Sequence, residues 1–348
     1  MTTEVIKINP LSFGSSELEA AAEIIRSGGL VIFPTETVYG IGADATSSEC
    51  ARKIYAAKGR PSDNPLIIHI ADPRDAEKYA VTSPLYVRLA EQFMPGPITV
   101  IMPKKDIIPF TVTGGLDSVA VRCPSHPIAH ELIRLSGVPV AAPSANISGR
   151  PSATGAEYAI ADFDGRADMI IDGGESDFGL ESTIVKITGD DSLLLLRPGA
   201  VTRDALLCVC ERVDISDTVT RMLKENERPV CPGMKYRHYA PSKPLVLVEG
   251  TPEDRIRFFR EKQRTENAVI ICYDEQKELL LPGSVISTGR EDDLLSQGHE
   301  IFRALRVCDS LPGDIIYANL PGTEGFGLAL YNRLIRAAAH TVVRAEKT

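Results

Sequence analysis

Lys58 and Arg60 flank Gly59 and are followed by Pro61, at the end of a segment in which Ala51, Ile54 and Tyr55 recur at helical spacing. Thr46 or Ser47 can cap that helix, and Gly59-Arg60-Pro61 stops it, so both cationic heads are expected to stand free at a helix exit. Upstream, the apolar run Leu30 to Phe33 reads as a buried strand that empties into the polar loop Pro34-Thr35-Glu36-Thr37. Two cations beside a Thr-rich loop suit chemistry on a polyanion held near a small hydroxylated molecule. The same spacing also suits solvated basic residues where the helix dipole favours them.

Similar groups recur downstream. Val119 to Arg122 is a short strand ending on a cation, and the strand Val138 to Ala142 runs into Pro143–Ser152, a loop holding Ser144, Asn146, Ser148, Arg150 and Ser152. Gly179 to Thr183 introduces the strand Ile184 to Ile187, and Leu193 to Leu196 delivers Arg197-Pro198-Gly199. Strand ends in α/β sheets are where ligands bind, which suggests that these loops converge on one cleft. His69, inside the strand Leu66 to Ile70, reads as a face or core residue or as a ligand. His126 and His130 are a possible metal pair, but no acidic or cysteine partner has zinc-type spacing and HExxH is absent, so a solvated helix face is the better reading. GxGxxG, GxxxxGK[ST] and a Ser/His/Asp order are also absent. What remains, cations and hydroxyls in one α/β domain, fits phosphoryl or nucleotidyl transfer, where the protein positions phosphates and neutralises charge.

The elements that must position these groups occupy a chain of 348 residues, 43% hydrophobic and 24% charged, which suits a globular enzyme of one or two domains. No apolar run approaches the roughly 20 residues of a membrane span. The N-terminus lacks a signal-peptide apolar region, and seven cysteines without a CxxC pair fit a reducing cytoplasm. Residues up to Met222 hold 20 Lys and Arg against 29 Asp and Glu, whereas the remainder holds 18 of each. The first part is therefore no general nucleic-acid magnet, and phosphate must be held there by a local cluster. Lys224 to Pro244 carries four prolines and no hydrophobic periodicity, which marks a linker, yet Tyr236, His238 and Tyr239 are unusual on a plain spacer. From Leu245 a new strand and helix alternation suggests a small parallel-sheet domain. The expected division is 1–222, a linker 223–244 that folds over the site, and 245–348.

Pro34-Thr-Glu-Thr-Val-Tyr-Gly40, Lys58-Gly-Arg60 with Asn64-Pro65, Pro95-Gly-Pro-Ile-Thr99, Arg122-Cys-Pro124, Ser144-Ala-Asn146-Ile-Ser-Gly149, Ser182-Thr183 and Arg197-Pro-Gly199 together resemble the YrdC-like domain of threonylcarbamoyl-AMP synthases. The segment 232–241 and the second domain resemble the long, two-domain form of that family. The resemblance implies a YrdC-like twisted open mixed sheet with helices, its concave face the site, followed by a linker and a smaller Rossmann-like α/β domain. It implies a cytoplasmic nucleotidyltransferase that joins L-threonine, bicarbonate and ATP into threonylcarbamoyl-AMP and pyrophosphate, for tRNA adenosine next to the anticodon. The downstream tRNA threonylcarbamoyl transferase machinery would be its partner. By the same resemblance, the threonine pocket would include Thr37, His69, Arg122, Ala142 and Ser182. The ATP side would include Lys58, Arg60, Asn64, Ser118, Ser144, Asn146, Ser152, Arg197 and the linker residues His238 or Tyr239, with Lys58 and Arg60 the catalytic cations. A Mg2+ is expected with the triphosphate, although no protein ligand set is legible. The rival reading is an RNA-binding module without nucleotidyl transfer, against which the acidity of the first part argues.

Overall fold

A computed structural model describes residues 2–221, 223, 227, 229–234 and 238–345. They form two compact units, Met1–Ser148 with Ser152–Lys235, and Gly149–Pro151 with Tyr236–Thr348.

The first unit is built on one mixed sheet of eleven strands: β1 (Glu4–Lys7), β2 (Val31–Phe33), β3 (Gly40–Asp44), β4 (Ile67–His69), β5 (Ile98–Pro103), β6 (Ser118–Arg122), β7 (Val140–Ala141), β8 (Met169–Asp172), β9 (Thr183–Gly189), β10 (Ser192–Arg197) and β11 (Arg212–Ile215). Their order is β1-β8-β2-β3-β7-β4-β6-β5-β9-β10-β11. Side chains alternate between the two faces of a strand, so the register decides what each face holds. One face carries Ala141, Ile68, Val121, Val100, Val185 and Leu195, all buried in the main core. Helices Ser48–Lys58, Pro84–Phe93 and Ala156–Phe163 contribute Ile54, Leu89 and Phe163 to the same core. The opposite face is covered over β2, β3 and β7 by helices Glu19–Arg26 and Pro127–Ser136, through Ala21, Ile25, Ile128 and Leu132. Over β4, β6, β5, β9 and β10 its apolar surface is a small patch of Ile67, Ile101, Ala120, Ile184 and Leu196, on which Cys231 and Met234 pack.

Two glycines fix the path of the chain near the site. Ser47 accepts a hydrogen bond from the Cys50 N–H and caps Ser48–Lys58, an arrangement that typically contributes about 1 kcal/mol. Gly59 closes that helix in the left-handed conformation, φ 61°, which costs a side-chain-bearing residue more. Gly42 on β3 is required for a different reason. A Cβ there would stand 2.6 Å from Phe33 Cε1 and 2.7 Å from Val140 Cγ1.

The second unit is a five-stranded parallel sheet in the order β14-β13-β15-β12-β16, from β12 (Leu245–Glu249), β13 (Ala268–Cys272), β14 (Val285–Ser287), β15 (Ile315–Asn319) and β16 (Val342–Arg344). Helices Pro252–Thr265, Leu294–Ser310 and Gly327–Ala337 are among its connections. In this unit the Tyr239 ring stacks on Phe302 at 5.1 Å between centroids, and the Arg333 guanidinium carbon lies over the Tyr239 ring, 5.7 Å from its centroid.

Candidate active site

The part of the first unit's sheet face that helices Glu19–Arg26 and Pro127–Ser136 leave free is lined, row by row, with polar groups. β4 and β6 are parallel with His69 opposite Arg122, and β5 and β9 are parallel with Thr99 opposite Ile184. β9 and β10 then set Ile184 opposite Arg197, across an irregularity between Leu195 and Arg197. His69, Arg122, Thr99 and Arg197 therefore share one face, with Ser182 just ahead of β9. In the next row Ile67 and Ala120 are opposed, as are Ala120 and Ile101, and they form an apolar floor. Two residues further along β6, Ser118 shares the face by the same period of two.

Apart from half-buried Ser118 these groups are buried, and several are bonded to one another. Thr99 and Ser182 hydroxyls are 2.7 Å apart, and Arg197 donates from Nε to the Ser182 carbonyl at 2.9 Å and from Nη2 to its hydroxyl at 3.1 Å. Thr35 and Thr37 hydroxyls are 2.9 Å apart, and the Thr35 hydroxyl also donates to the Val38 carbonyl at 2.6 Å. Arg122 reaches the loop after β2, its Nη2 2.8 Å from Glu36 Oε1. That contact is close but off-axis: neither Glu36 oxygen has an aligned hydrogen-bond donor among the described residues. Burial, with Arg122 adding to it, lowers the His69 pKa to about 3, so the imidazole is neutral at physiological pH. His69 Nδ1 and Asn64 Oδ1 also have no hydrogen-bond partner among the described residues. Buried polar atoms are nearly always satisfied, so such a concentration marks a place built for a ligand.

The expectation that Lys58 and Arg60 stand free at a helix exit is overturned. Lys58 is 1% exposed and Arg60 8%. The Lys58 ammonium donates to the carbonyls of Ser144 and of Asn146, the latter at 2.6 Å. Arg60 donates from Nε to the Asn64 carbonyl at 3.3 Å and from Nη2 to the Pro65 carbonyl at 3.0 Å. Gly59 turns the chain left-handed at the helix exit, and both cations bind loop backbone rather than water. The Ser144 hydroxyl donates to Asn146 Oδ1 at 2.6 Å, and Ser152 donates to Glu181 Oε1 at 2.5 Å. Ala142 is buried at the end of β7, its N–H bonded to the Ile67 carbonyl at 2.9 Å.

The structure thus brings Thr37, His69, Arg122, Ser182 and Arg197 to one face and its rim, and ties Lys58, Ser144 and Asn146 into one loop cluster. Of the linker, Cys231 and Met234 lie on the apolar floor, residues 235–237 fall outside the described residues, and His238 and Tyr239 belong to the second unit. His126 is not solvated: it is 6% exposed and precedes helix Pro127–Ser136. No group of three His, Cys, Asp or Glu that could hold a metal ion occurs among the described residues. Sequence reasoning missed Glu36, Thr99 and Glu181 as site residues. Glu36 and Thr99 each lay inside a quoted motif, and Glu181 in the Gly179–Thr183 segment, so the signal was there but no role was attached to it.

Two family profiles divide the chain near residue 200, ahead of the end of the first unit. The profile of the Sua5, YciO and YrdC family, described as "Telomere recombination", matches residues 23–199, and that of the "Threonylcarbamoyl-AMP synthase, C-terminal domain" matches 201–339. Threonylcarbamoyl-AMP synthase of Bacillus subtilis is 42% identical over 96% of this chain and 96% of its own length. The Pyrococcus abyssi protein of the same name is 42% identical over 94% and 96%. The crystal structure of P. abyssi Sua5 complexed with L-threonine covers 99% of this chain and 100% of its own, at 39% identity and a TM-score of 0.89. The chain belongs to the threonylcarbamoyl-AMP synthase family, in its long form with a YrdC-like domain followed by a smaller α/β domain.

Proposed function

We propose that this nucleotidyltransferase joins L-threonine, bicarbonate and ATP into threonylcarbamoyl-AMP with release of pyrophosphate. The observation that carries the reading is the row His69, Arg122, Thr99 and Arg197 beside the Thr35–Thr37 loop, buried cations and hydroxyls on a single sheet face. Threonine carbamate is already an anion, so its attack on the α-phosphorus of ATP needs placement and charge stabilisation more than a base. Arg122 takes the threonine carboxylate, and neutral His69, Thr37 and Ser182 meet the hydroxyl while Ala142 meets the methyl. Lys58 and Arg60 raise the positive potential on the triphosphate side and hold the loops of Asn64, Ser144 and Asn146 against it, with Ser118, Ser152 and Arg197 alongside. A Mg2+ entering with ATP would be held chiefly by phosphate and water, since magnesium keeps several waters and takes few protein ligands.

The product would serve modification of the tRNA adenosine next to the anticodon, in the cytoplasm, through the downstream transferase. His238 or Tyr239 would complete the nucleotide side, with the 223–244 segment closing over it. The alternative, an RNA-binding module, needs cations offered to a polyanionic surface, whereas Lys58, Arg60, Arg122 and Arg197 are each 8% exposed or less. The deciding experiment is pyrophosphate release from ATP, with threonine, bicarbonate or both omitted. Release that needs both supports the proposal, and RNA binding with no ATP turnover refutes it.

A further inference from the structure

Glu36 is 1% exposed and Arg122 5%, and the two are joined by the 2.8 Å contact from Arg122 Nη2 to Glu36 Oε1. Both carboxylate oxygens and Arg122 Nε lack an aligned hydrogen-bond partner among the described residues. Arg122 Nη2 also donates to the Thr35 hydroxyl oxygen at 3.5 Å. Of the titratable groups whose charges couple to Glu36, Cys123 is held as a thiol with its pKa pushed up to about 12, and burial lowers the His126 pKa even though Glu36 and Asp177 pull it up. Neither supplies a second firm cation. A buried carboxylate held by one off-axis guanidinium is a costly ground state, because desolvation is offset only by well-aligned bonds.

Resting on the reading that Arg122 takes the substrate carboxylate, we propose that Glu36 is the counter-ion of the substrate's α-ammonium and makes the site selective for amino acids over hydroxy acids. In the free protein Glu36 occupies Arg122. An incoming amino acid carries a carboxylate and an ammonium one carbon apart, so it takes Arg122 with the first and compensates the released Glu36 with the second. One poorly aligned pair is exchanged for two. A carboxylate without an amino group takes Arg122 equally well but leaves Glu36 buried and unpaired, and the site rejects it. A pair that merely fastened the Pro34–Thr37 loop to β6 would show no such preference.

The test is direct titration of the full chain with L-threonine and with 3-hydroxybutyrate, which is threonine without its amino group. The wild type is expected to bind threonine about 100-fold more tightly. Glu36→Gln is expected to weaken threonine by about 10- to 100-fold and to strengthen 3-hydroxybutyrate, since the amide no longer competes for Arg122. Affinities that move in the same direction in the variant overturn the proposal. So does wild type that binds the two ligands within about threefold of each other, a comparison that stands even if the variant does not fold. Wild type that binds neither ligand instead removes the threonine reading itself, and the proposal falls with it.

Discussion

Lys58→Ala separates the buried reading of this lysine from the solvated one by a wide margin. Its ammonium supplies hydrogens to the Ser144 and Asn146 carbonyls from a position 1% exposed. Alanine takes that donor from both carbonyls, at about 1–3 kcal/mol for the buried Asn146 contact and less for the half-buried Ser144 carbonyl, which keeps the Asn146 N–H at 3.0 Å, so the loss is about 1–4 kcal/mol. A solvated lysine at a helix end would cost no more than about 0.5 kcal/mol. For a unit of this size each kcal/mol moves the melting temperature by about 2–4 °C, which gives a drop of about 2–16 °C by calorimetry. Lys58→Met keeps the aliphatic stem and should fall nearly as far, because the stem is not what the carbonyls need. Pyrophosphate release at a temperature where both variants are folded should be lower by about 100- to 1000-fold, as for loss of a preorganised electrostatic contact. A variant melting within about 1 °C of wild type would show that the two carbonyl bonds do not hold the loop.

Stability should respond to acid through His69, whose native pKa is about 3 against an ordinary 6.5. The unfolded chain takes up a proton below pH 6.5 that the native state refuses, so this contribution is complete above that pH and declines as pH falls towards 3. Urea unfolding at pH 7 and pH 5 should differ by about 2 kcal/mol from this group alone, and His69→Gln should remove that share. Serine should replace threonine with a loss of roughly 10- to 200-fold in kcat/KM, the worth of one methyl, and valine with a far larger one because the hydroxyl's partners would be left unpaired; equal turnover of valine and threonine counts against a hydroxyl-reading pocket. Exchanging 232–241 for a Gly/Ser segment of equal length removes Met234 from the apolar floor and should shorten the lifetime of the adenylate, measured by its hydrolysis; an unchanged lifetime reduces the segment to a tether.

Much of the first unit's pattern could be read from the chain because its strands are apolar runs ending in loops. β4 and β6 follow that rule, and so did the helix ending at Gly59. β3 did not, because Gly40-Ile-Gly-Ala-Asp44 lacks β-branched density, and Gly42 is there for the close approach of Phe33 and Val140, which only the fold creates. β1 and β11 escaped notice as edge strands of four residues with mostly exposed side chains. The motifs carried the candidate residues into view but not their solvation. Whether Lys58 meets water or two carbonyls depends on residues 86 and 88 positions away. The pairing of Glu36 with Arg122 is likewise a tertiary fact, invisible to local spacing.

The period of two on β4 and β6 bears on how such a chain tolerates change over generations. Substitutions at the floor positions Ile67, Ala120 or Ile101 alter its depth while leaving His69 and Arg122 in place. Losing or gaining a single residue within β4 would instead invert both faces at once, sending an isoleucine where the imidazole stood and the imidazole into the helix-covered core. Drift in this lineage should therefore run through side-chain volume, with the lengths of these strands frozen, and libraries that aim at a new amino acid substrate should randomise the floor and leave strand length alone.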